Sequence, residues 1–379
     1  MLKRLGVDDS DLEIADAISR YAHNELAPHA ARVDREELPT TRYVAQLAEL
    51  GVMGMNLPQR WGGVDASPAA IVLSLVAIAK ACASTSSMIG AHYLATDSLL
   101  IGADDALRER YLPDAAAGKK LGAFALTEPR AGSNPADMAT RATREGEGYR
   151  ITGVKHFISN ADAADFIVVY AKTDPDAGAR GISAFVVDRH AAGVEVASAE
   201  KLMGIRGAPA HEVALDCVVP AGNRLGTEGS GFRTAMKVLD NSRLDVAATS
   251  IGIAEAALAA AVEWIGARMV GGEPLSGQQG LQWMIADMKT RLEAAWLLTL
   301  QAAARRAAGE PFTQDASMAK LYASEMVAFV TDAALQMHGG YGFTREMPLE
   351  RFVRDARILR IYEGSSEIQR TVIARAMLR

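Results

Sequence analysis

The chain has 379 residues and only two cysteines, Cys82 and Cys217, neither in a Cys-x-x-Cys pair. Two thiols cannot build a disulfide framework, so a reducing, cytoplasmic setting is expected. The longest uncharged apolar run, residues 69–79, is well short of the ~20 residues that cross a bilayer, and residues 1–13 lack the apolar region of a signal peptide. No membrane insertion is expected. Positive charge is also in deficit. Forty Lys and Arg against 46 Asp and Glu leave a net charge of −6, so there is no basic field for a phosphate backbone and nucleic acid is not expected as a partner.

Several catalytic signatures are missing as well. There is no G-x-x-x-x-G-K-[ST] and no G-x-S-x-G, and the seven His lack zinc-ligand spacing, so no metal is expected. The segments GTEGSGF from Gly226 and GGYGF from Gly339 have neither the spacing nor the strand-to-helix setting of a dinucleotide fingerprint. Phosphoryl transfer, zinc hydrolysis, serine acyl transfer and a nicotinamide Rossmann site all lose ground.

What remains is an ordinary globular composition, 49% hydrophobic and 23% charged, at a length that suggests two or three units. Residues 8–118 carry helix signals: Ser10 can cap a segment reaching Leu26, and Pro68 opens the apolar run AAIVLSLVAIA. From Lys120 the texture changes to ITGVKHFIS, DFIVVYAK and GISAFVVD, separated by Gly, Asp and Pro turns. Val213, Leu215 and Cys217 alternate with Glu212, Ala214 and Asp216, the period of a half-buried strand. After Pro220 the helical period returns, with Leu244, Ala248, Ile251, Ala254, Leu258, Ala261 and Ile265 on one face. Further helices are expected over residues 276–308, 313–337, 348–362 and 365–378. The division is 1–119 helical, 120–222 β and 223–379 a helical bundle, an α+β arrangement.

Four segments carry candidate chemistry. LTEPRAGSNP, residues 126–135, clusters Thr, Gly and Ser where amides and hydroxyls can face an anion, although on turn chemistry alone a polar turn capped by Ser133 and Asn134 is the favoured reading. FISN, residues 157–160, sets an aromatic plane beside the Ser159 hydroxyl, yet a strand-end Phe is more often core. QMHGGYGF, residues 336–343, can present helix-end amides, or a simple glycine cap. In RIYEGSSEIQR, residues 360–370, Glu363 precedes Gly364, which permits close approach of a ligand, and Ser365, a good N-cap.

In this order, on a helix, sheet, helix plan, the four segments resemble the acyl-CoA dehydrogenase family over residues 2–379. The resemblance implies an N-terminal helical domain, a middle β-barrel-like domain and a C-terminal four-helix bundle. It also implies FAD, an acyl-CoA substrate, electron-transfer flavoprotein as electron acceptor, and a homotetramer. Carried over by residue, Phe124, Leu126, Thr127, Gly132 and Ser133 would line the flavin and its pyrophosphate, with Ser133 shared with the substrate. Phe157, Ile158 and Ser159 would flank the ring. Arg268, Gln279, Gln336, Met337, His338, Gly339 and Gly340 resemble groups that hold a neighbouring subunit's FAD, and Ser365 and Glu367 lie on the nucleotide side. Asp240, Arg243 and Gly364 resemble substrate contacts, and Glu363 the catalytic base.

The implied reaction is α,β-dehydrogenation: Glu363 takes the α-proton of an acyl thioester while hydride leaves the β-carbon for the flavin. The family's other base position corresponds to Ser242, which is no carboxylate. Two alternatives keep the fold: a dehydrogenase acting on acyl carrier protein, and a class D flavin monooxygenase, which normally lacks the glutamate. One departure stands out. Arg268 is followed by Met269, Val270 and two glycines, where the family usually has a polar residue and an aromatic that pack on the cofactor.

Overall fold

The structure, a computed structural model, describes residues 7–378. Its first helix, α1 (Asp9–Tyr21), starts under Asp8, whose carboxylate accepts the Asp11 N–H while Asp11 accepts the Asp8 N–H. This capping box overrides the expected cap: Ser10 sits inside the helix and donates its hydroxyl to Asp8 at 2.7 Å. The helix also stops short of Leu26, because a wider π-type turn, Ala22–Leu26, takes over. Two short helices follow, α2 (Ala30–Glu36) and α3 (Val44–Glu49). Then α4 (Pro68–Ala81) begins as expected, with Pro68 as its first residue and the Ser67 hydroxyl accepting the Ala70 N–H. α5 (Ala83–Gly102) and α6 (Asp105–Ala116) complete the first helical layer.

Eight strands form the middle: β1 (Gly122–Ala125), β2 (Arg141–Glu145), β3 (Gly148–Ser159), β4 (Phe166–Lys172), β5 (Ile182–Asp188), β6 (Val194–Val196), β7 (Ala210–Pro220) and β8 (Arg224–Leu225). They run in the order 6-7-3-2-4-5-8, with β1 paired in parallel beside β4. β4 is buried on both faces, which is why it reads as a continuous apolar run. β7 alternates, and Val213, Leu215 and Cys217 point into the core as the sequence period requires. The antiparallel register of β3 on β7 breaks between Lys155 and Ile158, a bulge beside the FISN segment.

The last layer is built on α7 (Gly231–Ala267), a 37-residue helix packed on α4 and α5. Its expected stripe is buried at Leu244, Ala248, Ile251, Ala254, Ala261 and Ile265, and Leu258 is half-buried. By length and apolarity α7 could cross a bilayer, but 67% of its apolar stretch is buried inside the protein, the behaviour of a core helix. A hairpin that the sequence reading did not anticipate follows: β9 (Met269–Val270) and β10 (Glu273–Pro274), turned by Gly271 and Gly272 at φ of 63° and 90°. α8 (Gln279–Ala307) begins three residues later than expected because Leu275–Gly277 forms a 3₁₀ turn. α9 (Thr313–His338) packs against α7 and α8. α10 (Leu349–Arg357) ends early, and a 3₁₀ turn, Ile358–Arg360, swings the chain into the Glu363 segment before α11 (Ser366–Met377).

Candidate active site

Glu363 lies in the turn that leads into α11, with φ at 55°, a conformation that costs a non-glycine residue of order 1–3 kcal/mol unless its surroundings impose it. They do. Buried Gln369 donates to the Glu363 carbonyl at 3.1 Å and to the Gly364 carbonyl at 2.9 Å, and the Lys320 ammonium on α9 donates to the Gly364 carbonyl at 2.7 Å. Gly364 has φ of 89°, and a Cβ there would meet the Gln369 amide at 2.6 Å, so only glycine fits. Ser365 caps α11 through the Ile368 N–H, as expected. Glu367 is exposed in the first turn.

The carboxyl of Glu363 is faced by side chains of two helices, α7 and α9. Burial pushes its pKa up, opposed by a hydrogen bond from Ser242 on α7 and by the Lys320 and Arg243 cations. Ser242, the alternative base position, thus faces the same carboxyl. Arg243 is buried, donates to the Asp240 carboxylate at 2.5 Å and to the Ser317 hydroxyl at 3.4 Å, and leaves its Nε without a partner. Asp240 also accepts the Thr313 hydroxyl at 2.5 Å. Asp240 and Arg243 are therefore paired with each other beside the base.

Helix α5 joins this corner to the sheet. Its His92 Nδ1 accepts the Gly122 N–H at 3.1 Å, and its Met88 carbonyl accepts the Asn160 amide at 3.0 Å. On the sheet side Phe124 packs on Tyr170 with ring centroids 5.1 Å apart, and Leu126 and Ile158 are buried. Thr127 and Ser159 are half-buried, while Gly132 and Ser133 are exposed. Phe157 is not core: the bulge turns it outward at φ of 59°, leaving it 58% exposed and stacked on His156 at 4.1 Å.

A second group gathers on the C-terminal layer. Arg268, Gln336, Met337, His338, Gly339 and Gly340 line a cavity of about 540 Å³ together with Trp264 and Tyr341. Trp264 stacks on His338 at 4.9 Å, and the Arg268 guanidinium lies 5.6 Å over the Tyr341 ring. Gln279 is exposed at the start of α8 and is not among the residues lining this cavity.

The sequence reading missed three features. Lys320 falls among the apolar positions Ala316, Ala319, Ala323 and Val327 of α9, and a cation in phase with an apolar stripe was the available signal. Lys155 points inward in step with Tyr149 and Ile151, and binds Glu128 at 2.8 Å and the Leu126 carbonyl at 3.1 Å. The third is a polar network between α5 and α7 in which Asp97 accepts from Asn56 at 2.7 Å and Asn241 at 2.8 Å, and no local pattern announced it.

The residues present fit FAD. Gly132, Gly339 and Gly340 leave open space where a Cβ would stand, Phe157 offers a bare ring face, and His338 Nε2 is a buried atom without a partner. Together with a carboxyl of raised pKa that can exchange a proton, these features fit a flavoprotein with an acid–base group in its site. Three family profiles match the chain: acyl-CoA dehydrogenase N-terminal domain over residues 8–119, middle domain over 123–218 and C-terminal domain over 229–378. The chain is 40% identical to acryloyl-CoA reductase (NADH) of Anaerotignum propionicum over 95% of its own length and 92% of that protein. It is 38% identical to the short-chain specific acyl-CoA dehydrogenase of Clostridium acetobutylicum, over 97% of each. A chain in a structure of the electron transferring flavoprotein of Acidaminococcus fermentans superposes with a TM-score of 0.97 at 36% identity, covering 98% of this chain and 99% of that one. The protein belongs to the acyl-CoA dehydrogenase family and carries out FAD-dependent dehydrogenation of an acyl-CoA.

Proposed function

We propose that this chain oxidises a short acyl-CoA to the trans-2-enoyl-CoA with Glu363 as the base, within the three domains 1–119, 120–222 and 223–379. One observation carries the reading: the carboxyl of Glu363, fixed in a strained turn by Gln369 and Lys320, meets Ser242 and Arg243 from α7. Bound FAD supplies the hydride acceptor. Thr127, Ser133, Phe157 and Ser159 would hold its ring side. Enclosure raises the Glu363 pKa, and a carboxylate of raised basicity takes an α-proton more readily at neutral pH. The Glu363 N–H is the donor assigned to the thioester carbonyl, where negative charge develops as the proton leaves.

The short chain is supported by the short-chain specific relative. Electron-transfer flavoprotein is the proposed acceptor, on the likeness to the Acidaminococcus chain. A cytosolic place in fatty acid metabolism is proposed on the family and on Cys82 and Cys217, both free and buried. The test is anaerobic mixing of the FAD-loaded protein with acetyl-, butyryl-, octanoyl- and palmitoyl-CoA. The flavin should bleach fastest with butyryl-CoA and yield crotonyl-CoA; a palmitoyl preference refutes the short pocket, and no bleaching refutes the reading.

A further inference from the structure

Beside Glu363 is a carboxyl that the reaction does not use. Asp245 on α7 is 8% exposed and has no hydrogen-bond or ion-pair partner among the described residues; the charges within its reach are Arg306, Asp97 and Glu363. Its helix fixes where it looks. Asp245 follows Ser242, which faces the Glu363 carboxyl, by three residues, and Asn241, which donates to Asp97, by four, so it shares the face of both. It therefore stands between the base and the α5 network. One turn further on, Thr249 meets Ser86 of α5 at 2.8 Å, so the crease stays polar as it deepens.

The network has a second acceptor without a donor. The Asn56 amide nitrogen is taken by Thr96 and Asp97, which fixes its orientation and leaves the buried Asn56 Oδ1 with nothing to accept. Asn56 Oδ1 is buried with no donor, and the Asp245 carboxyl near Glu363 has none among the described residues; such acceptors are costly against a hydrocarbon tail, because a polar atom left unpaired there loses its hydration without compensation. Burial holds the Asp245 pKa well above the carboxylate range while nothing donates to it, and a donor arriving with the substrate would relieve that.

We propose that Asp245 selects an acyl group whose tail bears a hydrogen-bond donor, a hydroxyl or an amine, so that the favoured substrate is a short polar acyl-CoA rather than a plain hydrocarbon one. This rests on the acyl-CoA dehydrogenase reading and narrows its substrate. Asp245 is a specificity residue, and the proton still leaves to Glu363.

The experiment compares length-matched pairs on the FAD-loaded protein: butyryl- against 4-hydroxybutyryl-CoA, and valeryl- against 5-aminovaleryl-CoA. Binding is measured by calorimetry in the Glu363→Gln background, where no turnover interferes, and flavin bleaching is followed in the wild type. A neutral hydrogen bond is worth about 2- to 10-fold and one between an ammonium and a carboxylate about 10- to 100-fold, so the hydroxyl member should bind at least about twofold tighter than its partner and the amine member at least about tenfold. Asp245→Ala should erase that preference while FAD stays bound. Should Asp245→Ala lose FAD, Asp245→Asn keeps the shape and should weaken the amine arm by about tenfold. Preference in one pair alone identifies the donor as hydroxyl or amine. Equal affinity within both pairs, unchanged by either variant, overturns the inference and leaves the dehydrogenase reading standing. Failure of all four to bind or bleach overturns both.

Discussion

Lys320 is the residue whose role is most open to direct measurement. Its ammonium is buried on α9, binds the Gly364 carbonyl and pulls the Glu363 pKa down, with Arg243 helping from α7. Asp245, on the same helix as Arg243, is itself held toward its protonated form by burial first, with the Asp97 and Glu363 charges adding, and Tyr362 is the neighbouring phenol. Burial lowers the Lys320 pKa to about 8, so the cation persists at neutral pH. Only the deprotonated carboxyl can accept a proton, so the rate of flavin bleaching should climb with pH through the raised pKa of Glu363, falling about tenfold per unit below it. Removing a cation stabilises the protonated form. Lys320→Met should therefore move that limb to higher pH, and Lys320→Arg should restore it. A purely structural Lys320 would change the maximal rate and leave the limb in place, which stopped-flow bleaching across pH would show.

At the scale of elements, periodicity was legible wherever one face was buried, and opaque where a single residue broke the rule. The stripe on α7 and the alternation of β7 are consequences of burial on one side, so their spacing announced them. The bulge in β3 is different. It adds a kink without altering composition, and it turns Phe157, expected to flank the flavin ring, outward as an exposed ring. The Lys155–Glu128 pair was hidden for a similar reason: Glu128 lies in a segment that reads as a polar turn, yet its carboxylate also accepts the Ala139 and Thr140 N–H groups at 2.5 and 3.1 Å. That one side chain closes residues 126–140 onto the sheet, giving the candidate flavin loop a fixed base. At the α1 start, Ser10 and Asp8 are both good caps, and only the reciprocal bond with Asp11 decides between them.

At the scale of the molecule, the residues assigned to FAD fall into two groups. Arg268 and Gln336–Gly340 line a cavity that none of Thr127, Ser133, Phe157 and Glu363 enters. Local spacing could name both sets but not their separation, which depends on how three layers pack. The separation supports the proposal that the second group serves a neighbouring subunit in a homotetramer. Exposed Val270 and Phe343 on the same layer add apolar surface for such a contact. Light scattering on the FAD-loaded protein should give about four chains per particle, and a monomer retaining its full FAD on dilution would contradict the shared site. Legibility was greatest at Glu363, where motif, strain and electrostatics converge, and the central claim rests there. Its most direct test is the anaerobic bleaching rate of Glu363→Gln with butyryl-CoA, because the amide keeps shape and contacts while losing the capacity to take a proton. The account predicts a fall of at least ~10²- to 10⁴-fold with FAD and acyl-CoA still bound; bleaching at the wild-type rate would contradict it.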